Sequence, residues 1–218
     1  MSSVRYVAML AVPLLLAGCG SDGAQSHGDS TTAAASPSAA PSSAQPPPPG
    51  RALPFKDYLE TIDVHGKPVQ FSDAKGLAVN VPVPAGWERS NDPLFAGGMD
   101  FISEVGNTSN YPSVVLMAIQ LDGEFDPKRE IRHANVDALP PRTTDVTESF
   151  DDYQGFPSAL AEGNEGSTQR YSRIVIATVP STGVRYLVQL TVATKADQPI
   201  AATPALKSIV DGLTVTVS

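Results

Sequence analysis

Apolar and polar positions change their spacing several times along this chain, and each change predicts a different element. Phe55, Tyr58, Leu59 and Ile62 recur at three- and four-residue intervals, which predicts a short amphipathic helix stopped by Gly66. Leu77, Val79, Val81 and Val83 then alternate, predicting a strand that ends at Pro84-Ala85-Gly86-Trp87. Residues 99–105 predict a second strand and residues 107–112 a turn-rich connection. Residues 114–121 are almost continuously apolar, as in a central strand covered on both faces. Asp126 followed by Pro127 has the form of an N-cap and first helical residue, opening a helix that runs to about Leu139.

Beyond Pro140-Pro141 the pattern is strand-like at 143–150, 156–162, 170–179 and 184–193, with Ser181-Thr182-Gly183 joining the last two as a hairpin. A helix between Asp197 and Asp211 ends at Gly212, and Pro204 must kink it or start it late. Residues 213–217 suit a short terminal strand. Helices scattered among strands with short turns give an α+β class: an antiparallel sheet with helices on its faces.

The first 52 residues follow another logic. Arg5 supplies positive charge, residues 7–16 an apolar run too short to span a bilayer, and Leu16-Ala17-Gly18-Cys19 a lipobox. The expected outcome is removal of residues 1–18 as a lipoprotein signal peptide and acylation, for instance palmitoylation, of Cys19. The alternatives are an uncleaved anchor or an ordinary secretory signal. Cys19 is the chain's one cysteine, so no internal disulfide can form.

Of the 30 residues 20–49, 25 are Ser, Thr, Ala, Pro or Gly, and none is Val, Ile, Leu, Met or aromatic. Such a segment cannot offset its ordering entropy by burial, so residues 19–52 are expected to be a lipidated, disordered tether. As a coil it would reach roughly 30 Å, and fully extended about 100 Å. Pro46 to Pro49 should be stiff polyproline II, serving as a spacer or, alternatively, an SH3-type ligand. Residues 53–218 are then one globular domain.

From Arg51 onward there are 14 basic and 21 acidic residues, a net charge of −7. That balance argues against nucleic acid and against electrostatic docking on anionic head groups. Catalytic motifs are sparse. There is no Gly-x-Ser-x-Gly elbow; His27 lies in the tether, leaving His65 and His133 as the only bases for a dispersed Ser-His-Asp set. Asp122-Gly123-Glu124-Phe125-Asp126 starts like a calcium loop but has Pro127 where Gly is needed and His133 where Glu is needed. Asp151-Asp152 and Glu162/Glu165 could be read as glycosidase carboxylates, but their Gly-rich surroundings suggest solvated acids in hairpin turns or at edges. Neither a metal nor a cofactor is expected. Trp87, Phe95, Met99, Phe101 and Tyr111 cluster in a Gly- and Pro-rich stretch. They are either core or the lining of a groove for an acyl chain or a partner.

Several local motifs occur together: the lipobox, the tether, Phe55-Lys56-Asp57-Tyr58-Leu59, Val81-Pro82-Val83-Pro84-Ala85-Gly86-Trp87, Asp126-Pro127 and Tyr186-Leu187-Val188-Gln189-Leu190. In this order they resemble the mycobacterial LpqN/LpqT lipoprotein family over nearly the whole chain. Pro204 departs from that pattern and bears on the length of the last helix. The resemblance implies a PsbP-like α/β/α sandwich in an envelope lipoprotein without enzymatic activity. It also implies a role in mycomembrane biogenesis, through trehalose-type glycolipid or an envelope transporter. The expectation is a non-enzymatic binding protein held at the extracytoplasmic face of the cell membrane by its lipid. The rival readings are a protein–protein adaptor or host-interacting factor without lipid cargo, and a hydrolase with a dispersed site. The sequence carries no signal for oligomeric state.

Overall fold

The computed structural model describes residues 53–90, 98–136, 138–140 and 142–218. The signal peptide, the lipobox with Cys19, the tether and Phe95 fall outside the described residues. The first helix, α1 (Phe55–Thr61), buries Phe55 and Leu59, four residues apart on one face. The chain turns at Asp63 in the left-handed region (φ 60°), so Gly66 does not stop the helix. Gly66 lies inside β1 (His65–Pro68), a strand its polar residues did not announce.

The main sheet is antiparallel throughout. Its strands are β1, β3 (Trp87–Arg89), β4 (Met99–Glu104), β5 (Ser113–Asp122), β6 (Thr144–Ser149), β7 (Ser158–Glu165), β8 (Thr168–Thr178) and β9 (Arg185–Lys195). They run in the order β3-β4-β5-β9-β8-β7-β6, with β1 also paired to β5. One edge of β5 is therefore divided: β4 pairs with residues 114–117 and β1 with residues 119–122. The handover is at Ala118, whose carbonyl accepts from Val69 N–H (3.0 Å) while its N–H donates to the Gly98 carbonyl (3.4 Å). Gly98 has φ +93°, and a Cβ there would lie 2.7 Å from the Val69 carbonyl oxygen, so glycine is required at this junction.

The near-continuous apolar run in β5 is explained by cover on both faces. Val114 and Leu116 join a core with Ile102, Val188, Leu190 and Val192, while Leu121 joins another with Leu187, Ile174 and Ile176. The first core is closed by α3 (Pro204–Asp211), through Leu206 and Ile209, and by a separate two-stranded sheet of β2 (Leu77–Asn80) and β10 (Thr214–Val217). The second is closed by α1 and by α2 (Pro127–Glu130) with the turn after it, through Phe55, Leu59, Ile131 and Ala134. The class is α+β, with helices on both faces of an antiparallel sheet.

Two helices are shorter than their patterns suggested. Asp126 caps α2 as expected, accepting from Lys128 N–H at 3.0 Å with Pro127 in the first turn. After Glu130, however, residues 131–136 form a 3-10 helix rather than continuing to Leu139. The buried pair Ile131 and Ala134 is three apart, the spacing that three residues per turn brings to one side. Pro204 settles its own ambiguity by opening α3 at its first turn, where a missing N–H costs nothing, after a short 3-10 turn at Ile200–Ala202.

Candidate functional site

Register decides which of the five expected groove residues can meet. Met99 pairs with Met117 and Phe101 with Val115 across β4 and β5. Side chains alternate along a strand, so these four face away from Val114, Leu116 and Ile102, onto the sheet face that also carries Leu121 and Leu187. All four are half-buried, and none belongs to either core. They form a separate apolar patch beside the region covered by α1 and α2. Across β5 lies β9, where Met117 is paired with Gln189 and Val115 with Thr191. Gln189 Nε2 donates to Ser172 Oγ (3.2 Å) and Thr191 Oγ1 (3.4 Å), so the patch has a polar border held in place by hydrogen bonds.

Of the other described candidates, Trp87 and Tyr111 stand apart from this patch. Trp87 pairs with Glu104 and is buried in the opposite core, only 8% exposed, because the parity of β3 and β4 sends it to the other face. Tyr111 is half-buried in the loop between β4 and β5, ahead of a cis peptide to Pro112; its carbonyl accepts from Asn107 Nδ2 at 3.3 Å. Val115 and Met117 were hidden inside the apolar run of β5. Only the register reveals that two of its residues side with Met99 and Phe101. A cleft of about 290 Å³ elsewhere has a mixed lining that includes Asp126, Lys128, Phe156 and Ile176. It is at the small end for a ligand pocket, which typically starts near about 300 Å³.

The groups weighed for catalysis are engaged in local structure. His65 is exposed and sits 3.3 Å from Asp63. The His133 ring stacks on Tyr58, with centroids 3.8 Å apart and planes 16° from parallel. Among the described residues neither histidine is hydrogen-bonded to a hydroxyl nucleophile. Beneath that stack Glu130 is 1% exposed and accepts from the Tyr58 hydroxyl and from Arg129 Nε. Burial alone would raise the Glu130 pKa, but the hydrogen bonds from Tyr58 and Arg129 outweigh it and hold the carboxyl below its usual range. The same hydrogen bond pushes the Tyr58 hydroxyl up. The arrangement is a clasp between α1 and α2.

Glu162 is not in a turn: with Gly163 it lies inside β7, half-buried, accepting from Gln169 Nε2 at 2.9 Å. Burial raises its pKa. Glu165 pairs with Arg170 at 3.0 Å, Asp152 with Lys128 at 3.3 Å, and Asp151 accepts from Ser149 Oγ at 2.7 Å. Glu124 of the calcium-like stretch bridges to Arg185 at 3.3 Å. Among the described residues no group of three or more His, Cys, Asp or Glu is placed to hold a metal. No helix among them is long and apolar enough to cross a membrane.

Comparison with known proteins identifies the fold's relatives. The family model described as "Probable lipoprotein LpqN" matches residues 51–216. The chain belongs to the LpqN lipoprotein family. Within that family it is 35% identical to LpqT of Mycobacterium leprae over 173 residues, 77% of this chain and 78% of that protein. LpqT of Mycobacterium tuberculosis is 31% identical over 169 residues, 75% and 74% of the two chains. The crystal structure of LpqN involved in cell envelope biogenesis of Mycobacterium tuberculosis superposes with a TM-score of 0.59 at 20% identity. That match covers 77% of this chain and 99% of that one. At that identity the likeness establishes the fold, and with it that the sheet carrying Met99, Phe101, Val115 and Met117 is the LpqN-family sheet.

Proposed function

We propose that this protein is a non-enzymatic lipoprotein of the cell envelope, anchored through acylated Cys19 at the extracytoplasmic face of the membrane. There it binds the apolar part of a trehalose-type glycolipid. The observation that carries the binding reading is the patch of Met99, Val115 and Met117, half-buried apolar side chains packed into neither core. Partly wetted apolar surface beside fixed polar groups suits an amphiphile, whose chain takes the apolar side and whose sugar takes the border of Gln189 and Thr191. Lipoprotein relatives in mycobacteria, and a fold shared with a protein involved in cell envelope biogenesis, support the setting. Tethering raises the local concentration of the domain at the membrane that holds such lipids.

Native mass spectrometry of the protein from mycolate-making cells, with titration of trehalose lipids, tests this reading. Bound lipid is expected in the wild type, and Met117→Gln should weaken titrated binding about tenfold with little loss of melting temperature. Recovery without lipid, and unchanged affinity in that variant, would refute it. The rival reading is an adaptor that docks on an envelope transporter; crosslinking in cells that captures a partner at the same patch, with no lipid bound, would favour it.

A further inference from the structure

Four arginines of the described domain are partly withdrawn from water: Arg89, Arg170, Arg173 and Arg185. Three of them meet a carboxylate: Arg89 that of Asp100, Arg170 that of Glu165, Arg185 that of Glu124. Arg173 meets none among the described residues. It projects from β8 on the face of the first core, between Tyr171 and Val175, opposite to the face of the apolar patch. Its partial exposure leaves the free donors of the guanidinium open to a partner from outside the chain.

The surroundings hold Arg173 in one orientation and leave donors over. Its Nε donates to the Tyr171 hydroxyl oxygen at 2.9 Å, its Nη1 to Ser158 Oγ at 3.4 Å, and the guanidinium carbon lies 4.3 Å from the centroid of the Tyr153 ring. The supporting hydroxyls are themselves fixed: Tyr153 donates to the Leu213 carbonyl at 2.7 Å and Ser158 to the Asp151 carbonyl at 2.6 Å. What remains is one Nη1 hydrogen, both Nη2 hydrogens and the Tyr171 hydroxyl hydrogen, for which no acceptor is present among the described residues. Two acids bear on this cluster: Glu162, registered opposite Tyr171 across β7 and β8 and accepting from Gln169, and Asp211, paired with Lys207.

We propose that Arg173 and Tyr171 form a phosphate-binding site on the face of the sheet opposite the apolar patch. The planar fork matches two oxygens of a phosphate, the Tyr171 hydroxyl is placed to serve a third, and Tyr153 beneath the guanidinium keeps the fork from turning away. The phosphate belongs either to free orthophosphate or to the head group of a phospholipid in the membrane that the tether brings near.

Calorimetric titration of the full lipidated protein in maltoside micelles separates these sources, with inorganic phosphate in one arm and glycerophosphoglycerol, a soluble phospholipid head group, in the other. Binding in the first arm alone assigns free phosphate; binding in the second assigns the head group. Arg173→Lys, which keeps the charge but loses the fork, should weaken the bound probe about tenfold, and Tyr171→Phe several-fold, with melting temperatures near wild type. Arg173→Met should abolish binding. Failure of the wild type to bind either probe, equal binding by Arg173→Lys and wild type, or equal affinity for acetate would overturn the assignment.

Discussion

Replacing Tyr58 with Phe takes one hydroxyl from a carboxylate that is almost wholly buried, and its cost can be worked from the clasp. Glu130 is 1% exposed, and it accepts from two donors, Tyr58 and Arg129. A hydrogen bond to a charged group contributes about 1.5–3 kcal/mol, and leaving a buried acceptor short costs a similar amount. Arg129 still serves the carboxylate in the variant, so the lower half of that range is expected, about 1.5–2 kcal/mol. In a domain of this size that lowers the melting temperature by roughly 3–8 °C. The pH dependence has a definite sign. The folded-state pKa of Glu130 lies below its ordinary value of 4.5, so its stabilisation is complete above that value and is lost as pH falls through the folded one. The gap between wild type and Tyr58→Phe should therefore be full at neutral pH and narrow in acid. Urea unfolding followed by the fluorescence of Trp87, which sits in the opposite core, reads the global transition. A double-mutant cycle with Glu130→Gln should give a coupling of about 1 kcal/mol or more. A loss under about 0.5 kcal/mol at pH 7, or a gap that does not change with pH, would show that the clasp does not hold α1 down.

Gly98→Ala forces a left-handed residue and a Cβ against the Val69 carbonyl, so it should cost roughly 2–3 kcal/mol, seen as a lower urea midpoint with an unchanged slope; a neutral result would mean that the β1–β4 junction yields easily. Cys19→Ser should abolish incorporation of labelled palmitate and release the protein from the membrane fraction, and retention there would point to an uncleaved anchor.

Much of this fold was legible in the chain because its two periods are clean. The spacing of Phe55 and Leu59 gave α1, and the run in β5 marked the centre of the sheet. What escaped has physical causes. The β1 strand, His65–Pro68, is exposed at every position and so has no apolar signature; only pairing with β5 makes it a strand. The β3 strand has three residues, too few for alternation to register. The end of α2 was misjudged because Ile131 and Ala134 fit a helix of either pitch. At the candidate site, composition groups Trp87 with Met99 and Phe101, whereas the strands place Trp87 on the opposite face of the sheet. Which face a side chain takes depends on strand parity, and parity cannot be counted until the strand ends are known. Arg173 carried no signal at all, since which of the described residues surround it is a fact of three dimensions.

The divided edge of β5 has a mechanical consequence. An anchored protein is pulled from its N-terminal side, and along the chain that load meets α1 and then β1 before any strand of the main path. The β1 ladder has four residue pairs and begins at its N-terminal end with His65 opposite Asp122, so tension would peel it open pair by pair. Because β4 holds a different stretch of β5, losing β1 would leave the order β3-β4-β5-β9-β8-β7-β6 intact. Under the proposed anchoring at Cys19, the domain would thus yield first at a short hem while the sheet that bears both proposed sites stays whole.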